Sequence, residues 1–181
     1  MKARRRSGRS SVRPEVLTLE VLPTPIGEID VVTDAEGRLR VLEFHDEPLR
    51  LARALRLHHR DQAVEPGAAP AAVRDGLAAY FAGELTALKA VPWTIGGTAF
   101  QRQVWNGLVE IPLGETTSYA RLAERIGRPR AVRAVGLAND ANPIAVVVPC
   151  HRVIGTGGAL TGYGGGIARK RWLLAHEGVK A

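Results

Sequence analysis

An α+β fold is predicted by three observations. Residues 15–45 alternate apolar and polar side chains, as half-buried strands do. Beyond residue 92 the apolar positions recur three and four apart, as on helices. The balance of charge also reverses between the two stretches, which marks a boundary near "LKAVPW" (88–93). The chain is 45% hydrophobic over 181 residues, enough for one or two small cores. The organisation read from this is a disordered basic arm over 1–13, an N-terminal α/β domain over 14–91 and a C-terminal domain over 92–181.

Taken in order, "VLTLEVLP", "GEIDVVTD" and "RLRVLEFHD" read as three strands, separated by the turn-bearing "TPIG" and "AEG". They suggest a small antiparallel meander. Residues 48–60 have helical spacing at Leu51, Leu55 and His58, residues 61–70 read as a loop, and residues 71–82 form a second helix carrying Val73, Leu77, Tyr80 and Phe81 on one side. His58 and His59 are adjacent, so on a helix they point about 100° apart, which argues against a shared metal. "TAFQRQVWNGLVEI" (98–111) opens with Thr98 and Gln101 at capping-box spacing and continues with an apolar stripe at Phe100, Val104 and Leu108.

Ser118 then suits an N-cap, and Tyr119, Leu122, Ala123 and Ile126 form one face of a short helix. Gly127 sits at its C-terminal glycine position. Pro129 suits the first turn of a following helix, "RPRAVRAVGLAN". Two short helices joined through a glycine are the sequence form of a helix-turn-helix, and equally of a helical hairpin with no ligand. The second helix combines Arg130 and Arg133 with the small residues Ala131, Ala134, Gly136 and Ala138. Small side chains allow close approach to a duplex, and arginines meet phosphates or bases.

Charge supports the DNA reading without establishing it. Residues 1–13 hold six Lys/Arg and no acid. Residues 14–91 hold eight against thirteen Asp/Glu, and residues 92–181 eleven against five. The C-terminal stretch thus has its own positive field, which a polyanion would meet; ordinary surface charge gives the same count. No apolar run approaches the roughly 18–20 residues of a membrane span. The basic start has no apolar stretch behind it, so it does not read as a secretory signal. One cysteine makes no internal disulfide and no thiolate zinc cluster, so the expectation is a reducing, cytoplasmic setting.

That cysteine, Cys150, lies in "PCHRV" (149–153), after an apolar run, "IAVVV" (144–148), that reads as a buried strand. A nucleophilic cysteine must become a thiolate, and a free thiol has a pKa of about 8.5. His151 is the nearest base. In an extended chain its side chain points away from its neighbour's, so a bend or a bridging water is needed. Glu177 in "LLAHEG" can orient the imidazole, and Asn142, before Pro143, can hold the turn that aims the cysteine. The alternative is a buried structural thiol, as most lone cysteines are.

"PCHRVIG" closely resembles the active-site motif of the methylated-DNA–protein-cysteine methyltransferase (O6-alkylguanine-DNA alkyltransferase) family. "FQRQVWNGLVEIPLGETTSYARLAERIG", "AVRAVG", "NPIAVVVPCHRVIG", "LTGYGGG" and "RKRWLLAHEG" resemble that family in order and spacing, as "AYFAGEL" and the "TPIG" turn resemble its N-terminal domain. The resemblance implies a ribonuclease-H-like N-terminal domain and a mostly helical C-terminal domain with a winged-helix-like helix-turn-helix. It implies that Cys150 accepts the alkyl group, His151 acts as base through a water, Glu177 orients His151, Asn142 supports the turn and Tyr119 donates a proton to the leaving guanine. Val153, Tyr163 and Gly164 would surround the flipped base. Arg133 would enter the duplex, with Ser118, Arg130, Ala131, Ala134 and Gly136 along the DNA. The partner is double-stranded DNA containing O6-alkylguanine. No cofactor and no metal are implied, and the chain is expected to be a monomer in solution, with cooperative packing on DNA left open.

Two departures from the family stand out. Some members bind zinc in the N-terminal domain through cysteines and histidines; this chain has one cysteine, which the implied chemistry uses, so no such site is expected. Asp140 places an acid at the end of the DNA-facing helix, where a neutral or basic residue suits phosphates better. Two competing readings are a DNA-binding regulator without chemistry and a cysteine hydrolase. The first leaves the Cys–His–Glu set unexplained, and the second needs an oxyanion hole and turnover.

Overall fold

A computed structural model describes residues 15–179. The basic arm expected over 1–13 lies outside them. Strands β1 (Val16–Leu22), β2 (Ile29–Thr33) and β3 (Leu39–Phe44) form the antiparallel meander that the alternation predicts. The stretch expected to be a loop over 61–70 contains a fourth strand, β4 (Ala63–Pro66), paired parallel to β1, so the sheet order is β3-β2-β1-β4. β4 is a four-residue edge strand ending at a proline, where a missing N–H is tolerated.

The two faces of the sheet divide by residue parity. Leu17, Val32 and Val41 pack with Ala54 beneath α1 (Pro48–His58). Ile29, Val31, Leu42 and Phe44 face the main core with Val73, Leu77 and Tyr80 of α2 (Ala71–Phe81). Glu43 shares Val41's parity, so it points toward α1. The main core continues through Trp105, Leu122, Val135, Ile144 and Leu173 of the C-terminal stretch, and the outer edge of β3 bonds directly to it. Leu42 N–H donates to the Pro143 carbonyl at 2.9 Å, and Ala145 N–H to the Leu42 carbonyl at 2.9 Å.

The C-terminal stretch supplies α3 (Ala99–Val109), α4 (Tyr119–Arg125), α5 (Val132–Asp140) and α6 (Ile167–His176). The Thr98–Gln101 capping box forms reciprocally, and Trp105 Nε1–H fixes α3 to α5 through the Ala138 carbonyl at 2.8 Å. Ser118 accepts the Arg121 N–H, as an N-cap should. Gly127, at φ 71°, closes α4: its N–H reaches the Glu124 carbonyl and that of Arg128 the Ala123 carbonyl, a Schellman pattern. Pro129 does not open the next helix. Residues 128–131 form a further turn, with Ala131 N–H bonded to the Arg128 carbonyl, and α5 starts at Val132. Arg130 and Ala131 therefore precede the helix that the sequence assigns them to. Among the described residues no helix is long and apolar enough to cross a membrane.

Candidate active site

The run 144–148 is buried but is not a strand. Asn142 folds it into a compact turn: its Nδ2 donates to the carbonyls of Val148 (2.8 Å) and Ile144 (3.4 Å), and its Oδ1 accepts the Ile144 N–H (3.1 Å). Val146 sits at φ 68°, a conformation rare for a β-branched residue, which holds only because its surroundings fix it. The chain then enters a single 3₁₀ turn over Cys150–Arg152. This is the bend that the Cys150–His151 adjacency requires. An apolar run alone cannot distinguish strand from buried turn; here side-chain hydrogen bonds from one asparagine decide it.

Behind Cys150 lies a closed ionic network. Glu177, the C-cap residue of α6, is 3% exposed. Its Oε1 meets His151 Nε2 at 3.0 Å, Tyr80 Oη at 2.9 Å and Arg152 Nη2 at 2.9 Å. Its Oε2 accepts Arg152 Nε–H at 2.7 Å, and Arg152 Nη1–H continues to the Ile111 carbonyl at 2.7 Å. Burial pushes Glu177 up, but the hydrogen bonds from His151 and Arg152, with the charge of Arg152, outweigh it and hold the carboxyl near 2. Burial, only partly opposed by Glu177, lowers His151 below its ordinary value. The imidazole is thus neutral beside a carboxylate that only accepts. Nε2 must carry the proton, and Nδ1 keeps a lone pair. Nδ1 is buried and has no hydrogen-bond partner among the described residues. That tautomer leaves Nδ1 able to accept a proton on the side away from Glu177.

In front of Cys150 lies a cavity of about 160 Å³, lined by Cys150, Tyr119, Gly136, Asn139, Asn142 and the glycine-rich segment 162–165, with Glu43, Arg50 and Asp140 along one wall. Burial pushes the Cys150 thiol up to about 11, an effect that Asn142 partly offsets, so the resting thiol stays protonated. Burial likewise raises Tyr119, which keeps its phenol proton at neutral pH. Tyr163 packs edge-on against Phe44, with its hydroxyl buried and unpartnered among the described residues. A Cβ on Gly165 would overlap the Phe44 ring, and one on Gly164 would displace the Arg50 guanidinium.

Lys170 of α6 is fully buried and ties the cysteine segment to this loop. Its Nζ donates to the carbonyls of Val153 at 2.6 Å and Thr161 at 2.9 Å. Val153 departs from its expected place. It is fully buried in β6 (Val153–Ile154), paired with β5 (Thr117–Ser118), and is not among the residues lining the cavity. The expected DNA-facing residues form a separate group. Arg130, Arg133 and Ala134 are exposed along the α4–α5 turn and α5, with Leu137 beside them, and among the described residues neither arginine has an ion-pair partner. Gly136 faces the Tyr119 ring.

Sequence reasoning missed Tyr80, Arg152, Lys170, Glu43 and Arg50. One signal was readable: Lys170 stands seven residues before Glu177, two helical turns on the same face as Leu173 and Leu174, so a buried ammonium was foreseeable. The others are brought in by contacts far apart in sequence.

Comparison with known proteins gives consistent results. The family described as 6-O-methylguanine DNA methyltransferase, DNA binding domain, matches residues 99–179. A methylated-DNA–protein-cysteine methyltransferase of Shigella flexneri is 48% identical over 161 residues, 88% of this chain and 94% of the relative. One from Mycobacterium tuberculosis is 49% identical over 162 residues, covering 88% and 92%. Among solved structures, M. tuberculosis OGT in complex with DNA superposes with a TM-score of 0.73 at 44% identity, covering 88% of this chain and 92% of that one. The O6-methylguanine-DNA methyltransferase of the archaeon Pyrococcus kodakaraensis reaches 0.60 at 26% identity, covering 91% and 100%.

Proposed function

The chain belongs to the family of methylated-DNA–protein-cysteine methyltransferases, and from that premise we propose that it repairs O6-alkylguanine in duplex DNA with Cys150 as the alkyl acceptor. The observation that carries this reading is that Cys150 lines the cavity and shares one 3₁₀ turn with a buried His151 whose Nε2 is held by Glu177.

The alkylated O6 lies in the stacked duplex, out of reach of a buried sulfur, so the nucleotide flips into the cavity. His151 Nδ1 takes the thiol proton through a bridging water, and Glu177 stabilises the imidazolium that forms. The thiolate attacks the alkyl carbon in line. The new S–C bond forms as the C–O6 bond breaks, and the electron pair stays on guanine. Tyr119 donates a proton to the base as that charge builds, and the Gly164 amide meets O6. The thioether has no exit by hydrolysis, so each molecule acts once. Arg133 fills the place of the flipped nucleotide, with α5 in the minor groove and Ser118, Arg130, Ala131, Ala134 and Gly136 along the strands. Val153 contributes by its backbone rather than its side chain, which the structure buries.

The finer fold reading rests on topology. A meander with a fourth strand parallel to the first supports a ribonuclease-H-like unit over 14–91, and the β5–β6 pair beside α4 and α5 supports a winged-helix-like unit over 92–181. The reading takes the protein as a monomer acting in the cytoplasm. The test is the intact mass after incubation with duplex DNA containing O6-methylguanine, followed by peptide mapping. A gain of one methyl group, on Cys150, saturating at one per chain, is the expected result. No gain with lesion binding retained would leave a damage-binding regulator with a structural cysteine.

A further inference from the structure

Asp140 is the acid that suits a DNA-facing helix poorly, and the transfer chemistry gives it no task. The structure gives it partners. Arg50 of α1 donates from Nη2 to the Asp140 carbonyl at 2.8 Å and from Nη1 to its carboxylate at 3.4 Å, and Arg53 Nη1 stands 3.6 Å from the same carboxylate. Arg50 Nε–H reaches back to Glu43 Oε2 at 3.2 Å. Glu43 is 2% exposed and points toward α1 from β3. The guanidinium therefore spans from the sheet to the end of α5, ninety residues away in sequence. It lies along the cavity in front of Cys150, against the backbone of Gly164, whose missing Cβ leaves room for it.

We propose that Arg50, held by Glu43 and Asp140, is a positioning residue for alkyl transfer: it supports the Gly164 segment from below and forms the wall that limits the alkyl group in front of Cys150. This rests on the reading of Cys150 as acceptor. The physical argument is one of shape. A planar fork with five N–H donors bonds two elements at once while its flat face packs against a backbone, which a lysine ammonium cannot do. Gly164 has no side chain with which to hold itself in place, and the neighbouring Gly162 and Gly166 have φ 41° and 87°, so the segment's conformation depends on what it lies against. The N-terminal half thereby shapes the substrate pocket, although the acceptor, the base and its orienting carboxylate all lie in the C-terminal half.

The test is single-turnover transfer from duplexes carrying O6-methylguanine or O6-benzylguanine, with thermal unfolding measured alongside, for the wild-type protein, Arg50→Ala, Arg50→Lys and Asp140→Asn. Arg50→Ala is expected to lower the saturating methyl rate on the order of tenfold, because a loosened pocket loses its near-attack geometry. The DNA concentration at half-saturation should stay within about twofold of wild type. The benzyl rate should fall less, because the wall that restricts a large group recedes. Arg50→Lys should recover little, and Asp140→Asn, an exposed change that leaves the fold intact, should reproduce part of the loss. An unchanged or faster methyl rate in Arg50→Ala overturns the proposal. So does an equal loss on both substrates that follows the drop in unfolding temperature, which would make Arg50 structural only. If the wild-type protein itself gains no methyl group, the reading of Cys150 fails instead, and the two failures are told apart by that control.

Discussion

The two sides of Cys150 are built on opposite plans. Behind it, Glu177, Arg152, Tyr80 and His151 form a closed network in which both carboxylate oxygens are occupied and every member is buried or nearly so. In front, the cavity is walled by a glycine-rich segment that includes Tyr163, whose buried hydroxyl has no partner among the described residues. Proton handling needs a fixed tautomer and a fixed distance, which a saturated network provides. Substrate entry needs backbone that approaches a base closely, which glycine provides. On the proposed reading, the difference teaches that burial keeps the Cys150 thiol protonated at rest, while the network behind it holds His151 in one tautomer.

Removing the nucleophile breaks the comparison outright, and this is the largest effect expected. Cys150→Ser keeps the shape of both sides but replaces a thiol by a hydroxyl that His151 cannot ionise appreciably. Transfer should vanish while binding to lesion-bearing duplex is retained, as read by methyl transfer from labelled DNA and by a binding titration. Residual transfer to the serine variant would remove Cys150 from the acceptor role.

Next comes the back side alone. Glu177→Gln preserves size and one hydrogen bond but cannot stabilise an imidazolium, and it leaves Arg152 as an unpaired buried cation. The single-turnover rate should fall on the order of 10²-fold, within the range for losing general-base assistance. Stability should fall by about 3–5 kcal/mol, as for breaking a buried pair. The wild-type protein should also be acid-sensitive in a defined direction. Glu177 is held near 2, below its ordinary 4.5, so the stability it contributes is present above the ordinary value and is lost as pH falls toward about 2. His151, buried neutral and lowered, acts in the same direction, since the unfolded chain takes its proton first. Urea midpoints measured across this range should decline with falling pH, and the decline should be weaker in Glu177→Gln. A flat profile would mean that the network is not ionised as described.

Outside both sides, Arg133→Ala leaves the Cys150 surroundings untouched. It should weaken apparent affinity for lesion duplex by about 1–3 kcal/mol, with the saturating transfer rate less affected than in Glu177→Gln. Unchanged repair at limiting DNA would remove Arg133 from the duplex-entering role.

What was legible in the sequence follows the same division between local and distant causes. The Thr98–Gln101 box, the Ser118 cap and the Gly127 stop are decided within four or five residues, and all three form as the spacing indicates. The strand meander is written in period-two alternation and is likewise present. β4 was not legible because four residues at a sheet edge acquire strand character only from β1, nearly fifty residues away. The 144–148 run reads as a strand by composition and folds as a turn because the Asn142 side chain captures its backbone. Cys150, His151 and Glu177 could be named from local chemistry, but Tyr80 and Arg152 could not be placed on Glu177, nor Arg50 beside Gly164, because nothing nearby in sequence reports those contacts.

The smallest effect sharpens the comparison most. Tyr80 is an N-terminal residue, from α2, that donates its only hydroxyl proton to Glu177 across 97 positions of sequence. Burial beside that carboxylate drives its own ionisation out of the working range, so it serves solely as a donor. Tyr80→Phe removes one charge-assisted hydrogen bond while Arg152 and His151 continue to hold both carboxylate oxygens. The loss in stability should be about 1.5–3 kcal/mol, read as a shift in the urea midpoint at constant slope. The transfer rate should move far less than in Glu177→Gln, because the tautomer of His151 is still fixed. If the two variants instead slowed transfer equally, the carboxylate's orientation would depend on Tyr80 rather than on Arg152, and the back of the site would be set from the N-terminal half as well.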